Sequence, residues 1–297
     1  MDDRNYPTSP ATLDKWCRER KISPHEGKQR FVGFVVLECF AAHRILGVRL
    51  AFKGGNALRF CYHSPRSTTD LDFTLTAVES SQRPDDVPDN GDVLLQLIDE
   101  ALATSERRFN IKTRCQTIKR NPQKERGTHP TYGAKICYQF PEDRNFNNFE
   151  RTSKTVIDVE ISFFDVVCET SEIRLESASV RPVKVCSLND IVAEKLRSLL
   201  QQQVRNRNRQ QDVYDIARIF RISRSQLDFG KIASFLIEKA NARSISPHRS
   251  NFDNEVKTRA ELEYETKIRF QTGTHFIAFN DAWNDVIALV ESLPIPQ

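Results

Sequence analysis

The sequence predicts an α/β (α+β) chain in two parts: an N-terminal domain with a mixed sheet over residues 1–185 and a helical domain over residues 186–297. Three observations carry this reading. Short runs rich in β-branched and aromatic residues recur between helical stretches as far as about residue 185. From Ser187 onward the apolar spacing is helical throughout. A length of 297 residues with 39% hydrophobic content suits two modest domains, each with its own core.

The elements follow in order. Residues 27–46 place Phe31, Phe34, Val35, Leu37 and Phe40 in dense helical spacing, which predicts a buried helix leading into a strand at 48–52. Gly54-Gly55 lets the backbone turn sharply, and 56–62 is helix-compatible. A strand at 70–76 puts Asp70, Asp72 and Thr74 on one face and Leu71, Phe73 and Leu75 on the other. The polar stretch 80–90 reads as a loop, 92–109 as an amphipathic helix, and 110–119, 134–140 and 155–164 as strands. Between the last two, 141–154 reads as an exposed hairpin loop or a mobile flap. Ser187 and Asp190 predict a capping box opening a helix to about Gln202, with further helices at 211–220, 229–242, 253–270 and 275–293. The cleft between the two domains is the default place for a site.

Composition narrows the function classes. No apolar run is long enough to span a bilayer, and the first ten residues are polar without a signal-peptide core, so a cytoplasmic protein with no membrane partner is expected. Seven scattered cysteines, none in a Cys-x-x-Cys pair, make neither a disulfide framework nor a zinc site. The six dispersed histidines read as structural. A net charge of +4 says little by itself, but Arg205, Arg207 and Arg209 cluster, as do Lys119, Arg120, Lys124 and Arg126 in a loop-like stretch. Either is a solvated face or a contact for a nucleic-acid backbone.

The chemistry is concentrated in Lys53-Gly54-Gly55-Asn56-Ala57-Leu58-Arg59, followed fourteen residues after Asn56 by Asp70-Leu71-Asp72-Phe73. A glycine turn entering a helix offers backbone N–H groups and the positive end of the helix dipole to a phosphate, and Lys53 and Arg59 add countercharge. Two carboxylates two residues apart on one strand face are hard oxygen ligands of the kind that hold Mg²⁺ on a triphosphate for in-line attack. A third carboxylate is expected from 155–163, where Asp158 and Glu160 share a face. On the 187–202 helix, Asp190, Glu194, Arg197, Ser198 and Gln201 form a polar face, and Lys195 falls on the apolar side, where its ammonium must snorkel outward or reach a buried anion.

The stretch around these motifs resembles the pattern Lys-Gly-Gly-Thr-Ala-Leu-Arg, then Pro-Arg-x-Ser-x-Asp-Leu-Asp-Phe, of the AbiEii/AbiGii toxin nucleotidyltransferases, a MenT-like group of the polymerase-β-like superfamily. Pro65-Arg66-Ser67-Thr68-Thr69-Asp70-Leu71-Asp72-Phe73 fits it, with Asn56 in place of a small hydroxyl residue and Thr68 at the Ser position. Asp190-Ile191-Val192-Ala193-Glu194-Lys195-Leu196 resembles the family's third motif, and Asp212-Val213-Tyr214-Asp215 its last, with Gln211 where the family has arginine. The resemblance covers 48–215 and implies a polymerase-β-like transferase domain followed by a helical bundle. It implies a nucleotide site at Lys53, Gly54, Gly55, Asn56, Arg59, Arg66 and Thr68, with Mg²⁺ (or Mn²⁺) on Asp70, Asp72 and Glu160, Asp158 being the fallback. It also implies catalytic parts for Lys195, toward the nucleotide, and Asp212, toward the acceptor hydroxyl. Arg205, Arg207 and Arg209 are the expected RNA contacts.

What the resemblance implies for function is transfer of a nucleoside monophosphate from an NTP to an acceptor hydroxyl, such as the 3′ end of tRNA or another RNA. A cognate antitoxin and a part in phage defence come with it. The rival readings are nucleotidyl or phosphoryl transfer to a protein or small molecule, and a non-catalytic nucleotide-binding module. For Asp212 the bland alternative is the N-cap of a helix whose core face is Val213, Ile216, Ala217 and Phe220.

Overall fold

The architecture is that of a computed structural model, which describes residues 6–76, 89–122, 130–143, 149, 155–176 and 179–297. The chain forms two units. The first comprises Met1–His63, Thr69–Asp165 and Ser171–Val185, and the second Ser64–Thr68, Val166–Thr170 and Cys186–Gln297. Two short segments, one directly ahead of Thr69 and one directly after Asp165, therefore belong with the C-terminal helices.

The first unit contains, in chain order, α1 (Leu13–Arg20), α2 (Pro24–Ala42), α3 (Leu46–Arg49), β1 (Leu50–Lys53), α4 (Gly54–Tyr62), β2 (Leu71–Leu75), α5 (Gly91–Leu102), α6 (Ser105–Phe109), β3 (Lys112–Asn121), β4 (Thr131–Gln139), β5 (Val156–Ser162), β6 (Thr170–Ile173) and β7 (Val183–Cys186). Local chemistry sets the helix starts. Ser23 Oγ accepts from the Glu26 N–H and Pro24 fills the first helical position of α2. Asn90 accepts from the N–H groups of Asp92 and Val93 at the head of α5.

The strands form one sheet in the order β3-β4-β5-β2-β1-β7-β6. β1 and β2 pair antiparallel, as do β3 with β4 and β4 with β5, whereas β2 runs parallel to β5 and β1 parallel to β7. One face of the sheet is apolar. Phe73 on β2 meets Phe40 of α2 at 5.4 Å and Phe52 of β1 at 5.1 Å, and Phe52 meets Phe60 of α4 at 6.4 Å. The opposite face carries Asp72, Asp158, Glu160, Gly133 and Lys135, which alternate with the buried Phe73, Val159, Ile161, Ala134 and Ile136.

The second unit holds α7 (Leu188–Leu200), α8 (Gln202–Arg205), α9 (Gln210–Ser223), α10 (Phe229–Asn241), α11 (Asn254–Glu261), α12 (Tyr264–Thr272) and α13 (Phe279–Ser292). Val213, Tyr214, Ile216 and Ala217 of α9 are fully buried. The hydroxyls of Tyr214 and Tyr264 donate to the carbonyls of His275 and Ile277, both at 3.1 Å, so neither ring leaves an unpaired polar atom in the core.

Several sequence expectations change in detail. The 92–109 helix is two helices, and the 253–270 helix is broken at Glu263, whose φ is +59°. α1, β6 and β7 carry no clear sequence signal, because four to eight residues are too few to display a period. Only half of the capping box forms: Ser187 Oγ accepts from the Asp190 N–H at 3.1 Å, but the Asp190 carboxylate accepts from the Cys168 N–H and pairs with buried Lys239. The expected polar face of α7 is largely buried, including Asp190, Arg197 and Ser198. The loop at 80–90 falls outside the described residues except for its last two, and most of 141–154 falls outside them too. All seven cysteines are free thiols, and burial pushes Cys39 and Cys61 up to about 11 and about 12, far from reactive thiolates. No helix among the described residues is long and apolar enough to cross a membrane.

Phe73 joins three elements at the centre of this core. Phe73→Ala is expected to cost about 3–5 kcal/mol in denaturant unfolding, the range for truncating a fully packed aromatic.

Candidate active site

The two sequence motifs form a single local structure. Antiparallel pairing of β1 and β2 sets Lys53 opposite Asp72, and parallel pairing of β2 and β5 sets Asp72 beside Glu160. Residues in register on neighbouring strands share a face, so Lys53, Asp72 and Glu160 make one row across three strands, at about 4.8 Å per strand. Glu160 is thus the acid in register with Asp72. Asp158, two residues earlier, forms an exposed ion pair with Lys135 at 3.2 Å.

The glycine turn closes against this row. Gly54 has φ +75°, a region that side chains other than glycine's rarely tolerate, and a Cβ placed on it would lie 2.2 Å from Asp72 Oδ2. The Asp72 carboxylate therefore occupies the space that a side chain at residue 54 would need. α4 starts here with Lys53 as its N-cap, and the Lys53 side chain makes no capping hydrogen bond. Asn56, expected to donate to a phosphate, is buried and donates to the backbone carbonyl of Asp70 at 2.8 Å. It ties the glycine turn to the start of β2. Thr69 Oγ1 donates to Asp70 Oδ1 at 2.7 Å.

Lys53 Nζ lies 2.9 Å from Asp165 Oδ2. Asp165 was not anticipated; its only sequence signal is its position just past the end of the β5 strand. Since β5 passes Ser162 in register with Thr74, the three residues after it fold back over the polar face to reach Lys53. Thr74, on the same face as Asp72, is fully buried, and its hydroxyl donates to the Ser162 carbonyl at 3.2 Å.

Among the described residues no three acidic, histidine or cysteine side chains converge as ligands for one ion. Asp70 precedes β2 and is bonded by Thr69, whereas Asp72 is packed against Gly54. The donor set still fits Mg²⁺ or Mn²⁺: hard cations of this kind are commonly held by one or two carboxylates together with substrate phosphates and water.

Arg59 and Arg66, both expected at the nucleotide, are committed elsewhere. Arg59 is buried and donates to Glu26 at 2.7 Å, and burial, with Arg30 nearby, holds its pKa below the usual arginine value. Arg66 belongs to the second unit, where its Nε and Nη2 donate to the two oxygens of Asp215 at 2.8 and 2.7 Å. Thr68, in the same segment, is half-buried.

Lys195 does reach a buried anion, but the anions are the protein's own: Asp212 at 2.7 Å and Asp215 at 2.8 Å. Burial pushes the Lys195 ammonium toward losing its proton, and the two carboxylates more than reverse this, raising its pKa. Burial likewise pushes Asp215 up, and Arg66 and Lys195 outweigh it, so the carboxyl ends below its ordinary value. Asp212 is not an N-cap, since Arg209 holds that position; it lies in the first turn of α9 with its side chain buried. Asp215 is the residue that sequence reasoning passed over. It sits one helical turn beyond Asp212, and that spacing puts both on the same face.

Arg205 and Arg207 are exposed, and Arg209 is 3.9 Å from Asp212. Burial and then the charges of Arg243, Arg197, Arg207 and Arg209 depress the pKa of Arg205, the mark of a concentrated positive field. In the second basic cluster, Lys119 lies on β3 and not in a loop, Arg120 pairs with Asp89 at 2.8 Å, and Lys124 and Arg126 fall outside the described residues.

Comparison with known proteins adds independent findings. The family described as nucleotidyl transferase AbiEii toxin, type IV toxin–antitoxin system, matches residues 35–285. A search of curated proteins found no match. Among solved structures, JHP933 from Helicobacter pylori is 12% identical with a TM-score of 0.51 and 91% of each chain covered. A further crystal structure from H. pylori, described as a putative nucleotidyltransferase, is 13% identical with a TM-score of 0.50, covering 91% of this chain and 95% of its own. The MenT4 nucleotidyltransferase toxin of Mycobacterium tuberculosis is 16% identical with a TM-score of 0.44, covering 88% and 91%.

Gly54→Ala is expected to force the Asp72 carboxylate aside and to strain the backbone by about 1–2 kcal/mol. A folded protein with about a hundredfold lower turnover, compared by circular dichroism and rate, is the anticipated result. Asp215→Ala leaves Arg66 and Lys195 short of a buried counterion and should cost about 3–5 kcal/mol. The pH dependence has a definite sign. Stability from the depressed Asp215 carboxyl is complete above its ordinary value of 3.8 and is lost as pH falls through the lower folded value. The stability gap between wild type and Asp215→Asn, measured by denaturant unfolding, should therefore narrow only at acid pH below 3.8.

Proposed function

Because the chain belongs to the AbiEii nucleotidyl transferase toxin family of type IV toxin–antitoxin systems, we propose that this nucleotidyltransferase uses an NTP and a divalent cation to modify RNA. The acceptor hydroxyl gives its proton to a carboxylate, with Asp212 as the candidate, its oxygen bonds to the α-phosphorus, and the bond from that phosphorus to the bridging oxygen breaks so that pyrophosphate leaves with the electron pair. The acceptor is the 3′ end of tRNA or another RNA, and the activity serves toxicity or phage defence. An antitoxin partner belongs with the family.

The observation that carries this reading is the row Lys53–Asp72–Glu160 beside the glycine turn that opens α4. The α4 amides and Lys53 bind the triphosphate, and Lys53 exchanges the Asp165 carboxylate for phosphate oxygens as it does so. Asp72 and Glu160, with Asp70 just ahead of β2, would hold Mg²⁺ or Mn²⁺, which would neutralise charge building on the phosphate oxygens. Asn56 and Gly54 keep the two motifs in a fixed relation, so little reorganisation is needed on binding. The family resemblance assigns Lys195 to the nucleotide and Asp212 to the acceptor hydroxyl, and their mutual ion pair keeps both side chains ordered. Arg205 and Arg207 supply countercharge for an RNA backbone.

The test is incubation of the protein with Mg²⁺, total RNA and each α-³²P-labelled NTP in turn, resolved on a denaturing gel. Label on a tRNA-sized band, absent with Asp72→Ala, is the expected outcome and also identifies the preferred NTP. Label confined to protein or to a small molecule would overturn the RNA reading.

A further inference from the structure

The open face of the sheet does not end at Glu160. Pairing of β4 with β5 sets Gly133 beside Glu160, and pairing of β3 with β4 sets Lys119 beside Gly133. The row therefore runs Lys53, Asp72, Glu160, Gly133, Lys119 across five strands on one face. One step along the strands, Lys135 faces Asp158 and Thr117, and one step further Arg114 faces Cys137. Arg114, Lys119 and Lys135 are all exposed, while the residues alternating with Lys135 on β4 are buried.

Two features make this more than a scatter of surface charge. Gly133 has nothing within 4 Å of where a Cβ would stand, so the row carries a gap between the acidic column of β5 and the basic column of β3. The bond that Lys135 makes to Asp158 joins side chains more than half exposed, and such a pair is weak enough to be exchanged for another anion. Among the described residues, basic side chains flank the open space at Gly133, in the same row as the carboxylates, and Arg114 at the end of this face also lies over the Phe149 ring at 5.9 Å.

Resting on the transferase reading above, we infer that this face, with Lys119 and Lys135 as its contacts and Arg114 at its end, binds the phosphodiester backbone of the acceptor RNA next to the reacting terminus. Charge complementarity selects a polyanion, and continuity of the row with Asp72 and Glu160 selects the acceptor in preference to a remote ligand. Lys119 lies three strand spacings, about 14 Å, from Asp72. At about 3.4 Å per stacked nucleotide, that spans roughly four nucleotides of single strand. The assignment differs from the arginines of residues 205–209, since these lysines lie on the sheet that carries the carboxylates.

The experiment uses the full chain with Lys119→Glu and Lys135→Glu combined, and measures label transfer to bulk transfer RNA against RNA concentration at several salt concentrations. A Lys15→Glu/Lys21→Glu protein, with the same charge change at two exposed residues of the N-terminal region, is the control. The expected result is at least a tenfold rise in KM for RNA with KM for NTP held within twofold. The slope of log affinity against log salt should flatten by about 1.4, for two lost phosphate contacts at about 0.7 each. Lys119→Ala/Lys135→Ala should show the same trend at smaller size, and its thermal melting checks that the fold is retained. An unchanged KM for RNA and an unchanged salt slope, in a wild type that does label RNA, would overturn this inference alone. A wild type that labels no RNA would overturn the transferase reading and this inference with it, and that failure shows before any variant is made.

Discussion

Pairing of β1 with β2 is the constraint from which the site follows. It brings a lysine at the end of one strand opposite an aspartate in the middle of the next, and it delivers the glycine turn onto that aspartate. The register is enforced from the other side of the sheet. Leu71 and Phe73 are buried, Phe73 against Phe40 and Phe52, and a slip of one residue would expose them and turn Asp72 into the core. The hydrophobic effect thus positions the chemistry: burying the apolar half of β2 leaves the carboxylates facing out. Gly54 and Asn56 complete the arrangement, one by lacking a side chain where Asp72 sits and one by holding the Asp70 carbonyl.

The helical unit has its own aromatic packing, with Tyr264 against Phe279 at 5.1 Å, and adds to it a buried group of charges. Arg66, Lys195, Asp212 and Asp215 form a buried group of two cations and two anions, in which Asp215 is fully enclosed and bonded from both sides. Taking four charges out of water is costly, and only mutual pairing offsets it. Such a group fixes geometry more than it adds stability, because any single removal strands an opposite charge. It also holds the Ser64–Thr68 segment, which leads directly into Thr69 and Asp70. The second such segment, Val166–Thr170, is held the same way, with Asp190 accepting from the Cys168 N–H and pairing with Lys239.

The polar face of the sheet is where fold and chemistry separate. Its residues contribute little to the core, so their identities are not dictated by packing. A lysine, a glycine and a glutamate stand in one row there, and on β4 and β5 they alternate with the buried Ala134, Ile136, Val159 and Ile161. The same alternation that makes a stable half-buried sheet leaves this surface available for ligand chemistry.

Much of this was legible in the residues. Alternation of Leu71, Phe73 and Leu75 with Asp70 and Asp72 sets the strand and its two faces, and the glycine pair after an apolar run sets the turn, because both signals are local and depend only on neighbouring side chains. Family membership is legible too, since the motifs retain their order. The partners of charged groups are not. Lys195 was readable as a buried cation in need of an anion, but nothing local says that the anion is Asp215, or that Arg66, 149 residues away, shares it. The same holds for Asn56, whose amide serves a backbone carbonyl, for Lys53, which meets Asp165, and for Glu160, whose place beside Asp72 follows from strand register. Sequence by itself determined which side chains are apolar, turn-forming or charged, and hence the elements and their faces. Tertiary structure alone decided which charges meet, because pairing between distant segments depends on sheet order and helix packing that no local pattern encodes.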